Sequence, residues 1–397
     1  MKTILHIVDN KYRDLWGIYN LRENLLKQNL NLKICNKFNW HLAIKTYDPS
    51  IIIAPNARTG VKAFQKIINY CKRNKILIII YPSEGLEYTD DMLNYEFPNS
   101  TLKNVDKFFL WAKDHGKIHR KKGYDKKAII TGNLRFNDKL NFLNKKKIKT
   151  IGITTTTRYT TSSISDINIP RLIHSRQHNR RYVSFIKTEL EFFDVVSKIL
   201  NFFSKFNIRF VFKPHPFESP QFYKDAYPNI EIETDPDIRV FLSKIDLLLN
   251  QESSTNVHAL KYKVPVINIE NLLRLEPEYK KIYRKYLPSK IGVKVKNFNE
   301  LKLIILKKTK KQIYNLNVSK GDLKLISKVA PTLNTIDIMT KEINSMATKK
   351  NSVINFFCYF KYLLKEVFLL LTNKRTTLYR PFSVKDKILL KKFSIKE

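Results

Sequence analysis

Arg209-Phe210-Val211-Phe212-Lys213-Pro214-His215-Pro216 is the stretch on which the reading of this chain turns. Valine and aromatic residues favour a pleated, half-buried strand, and proline cannot continue its ladder. The run therefore predicts a short strand that stops at a histidine held between Pro214 and Pro216. In open α/β sheets ligands bind outside the carboxyl ends of the strands. Lys213 and His215 thus stand as candidate ligand contacts. A second stretch, Asn250-Gln251-Glu252-Ser253-Ser254-Thr255, follows an apolar run over 245–249 and precedes a predicted helix over 256–262. Hydroxyls and free backbone N–H groups at a helix start suit an anion. A helix cap uses only one hydroxyl, so Ser253, Ser254 and Thr255 offer more than a cap needs. A cation and a hydroxyl-rich turn at two strand ends suit a phosphate.

Working outward, short apolar runs alternate with helix-like segments. Residues 4–8, 32–35, 51–54, 76–81, 108–111 and 128–131 read as strands, with helices over 15–27 and 60–72. A Lys-rich linker over 144–149 follows, and the pattern restarts at strand 150–153. Beyond it come a helix over 189–206 and strands over 208–212, 230–233, 247–249 and 264–269, with a helix over 238–243. Strand and helix in alternation imply parallel sheets with crossover helices. The expectation is an α/β protein of two Rossmann-like domains facing a cleft, residues 1–147 and 148–345. Residues 346–397 form a separate helical, basic tail. Within it, 352–371 is apolar and aromatic but carries Lys361, Lys365 and Glu366, which disfavours a spanning helix. An interfacial helix on an anionic membrane and a helix packed on the protein body both remain open.

The formal net charge is +38 over 397 residues. Such a surplus attracts phosphate-rich partners. The sequence shows no RNA-binding aromatic motif, helix-turn-helix or zinc-finger spacing, so nucleic acid is not the expected partner. Cys35, Cys71 and Cys358 are scattered and odd in number, which suggests a reducing compartment. No secretory signal is read at the start, and a cytoplasmic location is expected.

Other candidates are polar loops and acids. Arg158, in a run of threonines after strand 150–153, could grip a carboxylate or phosphate bidentately; a plain polar loop is the alternative. Arg171, His174, Arg176, His178, Arg180 and Arg181 read as a mobile basic segment that could attract a phosphorylated acceptor. His115 and His119 sit at helical i, i+4 spacing but lack a third ligand nearby, so no metal is expected.

His-Pro after a C-terminal-half strand, followed by Ser-Ser-Thr before a helix, resembles the paired motifs of bacterial glycosyltransferases of the B fold. The similar enzymes use CMP-activated acidic sugars, sialic acids and Kdo. Carried over, the resemblance implies that His215 with Pro216, and Ser253, Ser254 and Thr255, bind the donor's cytidine and phosphate. It further implies a general base from an acid–glycine pair. Tyr81-Pro82-Ser83-Glu84-Gly85 matches, making Glu84 the expected base beside Gly85, with Glu87 next. One departure is Ser83, where many relatives carry a second acid. Thr131-Gly132-Asn133-Leu134-Arg135-Phe136 resembles a Thr-Gly-Asn-x-Arg-Phe segment of bacterial surface-carbohydrate biosynthesis proteins. The resemblance spans about residues 1–300 by order of short motifs.

The expectation is thus an inverting glycosyltransferase, free of metal and of any cofactor beyond its CMP-linked donor. It would act on a glycan or lipid-linked acceptor for surface polysaccharide, capsule or lipopolysaccharide, peripheral at the inner face of the cytoplasmic membrane. One rival is a polyol-phosphate transferase using CDP-glycerol or CDP-ribitol. Those proteins use a His-Gly base, for which His115-Gly116 is the available match. A second rival, of another class, is a non-catalytic polysaccharide- or membrane-binding protein.

Overall fold

The computed structural model describes residues 2–347, except 10, 38, 58–61, 84–85, 87–97, 137–139, 145, 156, 158–159, 161–178, 216–217, 236 and 284–286, together with Cys358, Phe360, Lys361 and Leu364. The chain divides into two compact units, Met1–Asn137 with Lys328–Glu397, and Asp138–Ser327.

The first unit is built on β1 (Lys2–Val8), β2 (Leu30–Asn36), β3 (Ile51–Ala54), β4 (Leu77–Ile80), β5 (Lys107–Leu110) and β6 (Ala128–Ile130), all parallel, in the order β2-β1-β3-β4-β5-β6. Central strands of such a sheet are covered on both faces, so they read as continuous apolar runs rather than alternating ones. All four residues of β3 are buried, and so are Ile78, Ile79 and Ile80 of β4. The order reverses between β1 and β3, which is a topological switch point. Helix Trp40–Tyr47, unforeseen from the sequence, also belongs here.

The second unit carries β7 (Thr150–Thr154), β8 (Arg209–Lys213), β9 (Glu231–Ile232), β10 (Leu247–Asn250), β11 (Val266–Asn268) and β12 (Val293–Lys294), again parallel, in the order β12-β11-β10-β7-β8-β9. This is the doubly wound order, with its switch point between β7 and β10. The two-residue edge strand β12 was not expected from the sequence. Helix Asn179–Phe203 starts ten residues before its expected start at 189. Its buried Phe192, Val195, Val196, Ile199, Leu200 and Phe203 follow the 3–4 spacing of an amphipathic helix. The basic segment expected to be mobile therefore ends in regular structure, because Arg180 and Arg181 lie on this helix. Its earlier members fall outside the described residues. Gly152 lets helix Ile238–Lys244 approach β7 closely: a Cβ there would stand 2.5 Å from Ile245 and 2.7 Å from Phe241.

The expected boundaries at 147/148 and 345/346 do not match this division. Residues 328–347 group with the first unit because helix Thr335–Met346 packs on helix Lys11–Leu26. Lys2 Nζ also donates to the Ala347 carbonyl at 2.6 Å. Of the tail, Cys358, Phe360, Lys361 and Leu364 are helical, with Phe360 and Leu364 exposed. Among the described residues no helix is long and apolar enough to cross a membrane. The three cysteines are free, with Cys35 and Cys71 buried.

Candidate functional site

The switch point of the second unit gathers three strand ends. β7 pairs with β8 on one side and β10 on the other, with Thr154 opposite Lys213 and Ile153 opposite Leu249. The strands that end at His215 and at the Ser253–Thr255 turn are therefore not adjacent; the end of β7 lies between them. That brings Thr154, Thr155 and Thr157 into the middle of the arrangement.

His215 follows β8 by two residues and is half-buried. Its backbone N–H donates to Glu218 Oε2 at 2.9 Å, and its carbonyl accepts from Glu218 N at 2.8 Å. The same carboxylate accepts from the Thr155 hydroxyl, from Thr157 N at 2.5 Å and from the Tyr223 hydroxyl at 3.0 Å. Burial pushes the Glu218 carboxyl above its usual range, while the donors from Thr155, His215, Tyr223 and Thr157 pull the other way. Sequence reasoning missed Glu218. The available signal was its place three residues after His215, a spacing at which side chains bond back to backbone.

Lys213, expected as a phosphate contact, has a different task. Its ammonium donates to the carbonyls of Asp235 and, at 3.5 Å, Glu233. Burial lowers its pKa, and the charges of Glu233, Asp235 and Asp237 oppose that shift. The lysine thus ties β8 to the chain beyond β9.

At the end of β10, Asn250 Oδ1 accepts from Ser253 N at 3.0 Å. Ser253 Oγ accepts from Thr255 N at 3.2 Å and donates to Thr255 Oγ1 at 3.0 Å. Helix Thr255–Lys261 thus takes its first side-chain bond from Ser253, while Ser254, at the cap position, makes no side-chain cap bond and is exposed. Of the three hydroxyls two bond one another and one is turned out, which answers why one cap did not need all three. Arg158 and Pro216 lie outside the described residues.

In the first unit the chain leading to the expected base is held tightly. Tyr81 N donates to the Ala54 carbonyl and Ser83 N to the Pro55 carbonyl, both at 2.9 Å. Trp111 Nε1 donates to the Pro82 carbonyl at 2.8 Å, and Arg135 Nη2 to the Ser83 carbonyl at 3.0 Å. The Tyr81 hydroxyl accepts from Leu134 N at 2.8 Å, and the Arg135 guanidinium stacks 4.9 Å from the Trp111 ring centre. The Thr131–Phe136 segment thus holds Tyr81 and Ser83, and Trp111 holds Pro82, in the three residues preceding Glu84. Gly132 makes its turn possible with φ +82°, and a Cβ there would come 2.5 Å from Thr335 Oγ1. Glu84, Gly85 and Glu87 themselves lie outside the described residues.

His115 and His119 are core residues of helix Lys113–Lys121, 1% and 0% exposed. His119 Nδ1 lies 3.2 Å from the His115 carbonyl, and its ring packs 4.7 Å from that of Phe108. His115, the His-Gly match of the polyol-phosphate rival, thus stands in the core of its helix. Among the described residues no group of three His, Cys, Asp or Glu is arranged to hold a metal.

No family model matches the chain, and no curated protein matches it by sequence. Solved structures do resemble it. S. aureus MnaA with UDP superposes with a TM-score of 0.51 at 14% identity, covering 89% of this chain and 100% of that one. A variant of the wall teichoic acid polymerase TagF with CDPG gives 0.52 at 12% identity, covering 92% and 89%. A putative UDP-N-acetylglucosamine 2-epimerase from Listeria monocytogenes gives 0.50 at 14% identity, covering 88% and 98%. At these identities the likeness establishes the fold: a two-unit α/β chain of the glycosyltransferase B type.

Proposed function

We propose that the chain is a transferase of surface-carbohydrate assembly that uses a nucleotide-activated donor, in its finer form a CMP-linked acidic sugar. The observation that carries the reading is the convergence of His215, the threonines Thr154, Thr155 and Thr157, and the Ser253–Thr255 turn at the switch point of one doubly wound sheet. Phosphate groups suit such a place, where backbone N–H groups, hydroxyls and an imidazole can all donate. In the reaction, the acceptor oxygen forms a bond to the anomeric carbon as the bond to the donor phosphate oxygen breaks. The acceptor's proton passes to Glu84, and CMP leaves with its charge stabilised by His215 and the hydroxyls. No divalent ion is required, so EDTA should leave turnover intact.

A second reading has its own support. The likeness to TagF with CDPG favours a CDP-polyol donor, for which the same phosphate contacts serve. A thermal-shift series with CMP, CDP and UDP separates the two. A ligand at about 100 times its Kd stabilises the native state by about 2.7 kcal/mol. CMP leaves in both reactions and should stabilise the protein under either; a further rise with CDP, which keeps the diphosphate of a CDP-polyol, favours the second reading. His215→Ala should weaken the bound nucleotide by about 1.5–3 kcal/mol in calorimetry. A shift with UDP alone, or with none of the three, removes the cytidine donor.

A further inference from the structure

The loop after β7 and the loop after β8 meet at one buried carboxylate. Glu218 is 6% exposed and accepts hydrogen bonds from the Thr155 hydroxyl, Thr157 N and His215 N; the Thr157 and Tyr223 hydroxyls, 2.5 Å from one another, lie 3.3 Å and 3.0 Å from the same carboxylate, so that at least one of them donates to it. The threonines lie 61 to 63 residues away in sequence, so these bonds are tertiary rather than local. Both backbone polar groups of His215 are engaged by Glu218, one donating to its side chain and one accepting from its N–H. A residue anchored at both its N–H and its carbonyl has little freedom left in its backbone.

We infer that Glu218 is a positioning residue: its carboxylate ties the loop after β7 to the loop after β8 and fixes the backbone that carries His215 at the phosphate site. It deepens the proposed donor site, and only the nucleotide measurement below rests on that reading. Glu218 does not touch the donor; it acts through His215 and the threonines. Charge matters as well as shape. An ionised carboxylate is an acceptor only, and it answers the backbone N–H and hydroxyl donors turned to it. A glutamine would turn an N–H₂ group toward some of them and leave buried donors unpaired.

The test compares wild type with Glu218→Gln and Glu218→Asp, using protein labelled at histidine. With eight histidines in the chain, the spectrum is sparse enough to assign through a His215→Ala control. In Glu218→Gln the His215 amide and imidazole signals should move, while His6 and His119 of the first unit stay in place. CMP affinity should fall about tenfold or more, consistent with lost charge-assisted bonds. In a His215→Ala background the same substitution should cost less than about threefold more, because residues acting through one another are not additive. Glu218→Asp, which keeps the charge, should recover part of the affinity.

Unmoved His215 signals in Glu218→Gln, or losses that add fully in the double variant, would overturn the inference. If the His215 signals move but the wild type binds neither CMP nor CDP, the positioning role stands and the cytidine donor falls. Should Glu218→Gln fail to fold, Tyr223→Phe and Thr155→Val each remove one donor to the carboxylate while leaving it in place. His215 signals unmoved in both would count against the inference in the same way.

Discussion

Burial holds two histidines of the first unit far below the ordinary imidazole pKa. His6 and His119 are both lowered from 6.5 to about 4, chiefly by desolvation. The unfolded chain takes up these protons below about pH 6.5, while the folded chain refuses them until about pH 4. Their support for the fold is therefore whole above pH 6.5 and is lost as pH falls from 6.5 toward 4. The two together give a slope of up to about 2.7 kcal/mol per pH unit. Urea midpoints measured at pH 7.5, 6 and 5 should fall accordingly, and a His6→Leu/His119→Leu variant should flatten the trend; an equally steep loss in that variant would assign it to other groups. At the same scale, Glu84→Gln keeps shape but cannot accept a proton at neutral pH. Turnover should drop by a factor of about 10²–10⁴ with nucleotide affinity nearly unchanged. A normal Glu84→Gln beside a dead Glu87→Gln would move the base to Glu87. Local sequence led to His215 because proline brackets and strand formers are local signals. For Glu218 it offered only the spacing from His215, since an acid in a loop looks the same whether it is solvated or gathers donors from another loop.

Glycines separate elements that touch from elements that do not. Gly152 sits in β7 where a Cβ would overlap Ile245 and Phe241 of the packed helix region. Gly152→Ala should destabilise by about 1–3 kcal/mol through overpacking. Gly116 lies inside helix Lys113–Lys121, and a Cβ there meets only Ile130 at an ordinary 3.5 Å. Gly116→Ala should therefore stabilise by about 0.5–1 kcal/mol, as alanine does in a helix interior. Denaturant midpoints of the two variants should move in opposite directions, and parallel shifts would contradict the packing described. Apolar runs made every strand of the two sheets legible except β12, because central parallel strands are apolar throughout. Helix starts were less legible: helix Asn179–Phe203 opens with polar, basic residues that carry no apolar stripe.

Across the whole molecule, positive charge dominates, at +38 over 397 residues. Each basic residue near an anionic surface contributes about 1 kcal/mol, and salt screens it. Full-length protein should pellet with vesicles rich in phosphatidylserine at low salt and be released at high salt. Protein lacking residues 351–397 should pellet much less. Equal pelleting of both forms would place the membrane contact elsewhere in the chain. The same experiment with neutral vesicles separates charge from apolar insertion.

The sequence by itself determined that two α/β halves succeed one another and that His215 and the Ser253–Thr255 turn each end a strand. These follow from residue type within a few positions. Only the tertiary structure decided which strand ends are neighbours, because strand order depends on long-range pairing that no local pattern encodes. The order put β7 between β8 and β10 and so drew Thr155 and Thr157 onto Glu218. It also turned Lys213 to the carbonyls beyond β9 and returned helix Thr335–Met346 to the first unit, since buried donors and apolar faces are satisfied wherever the fold brings their partners.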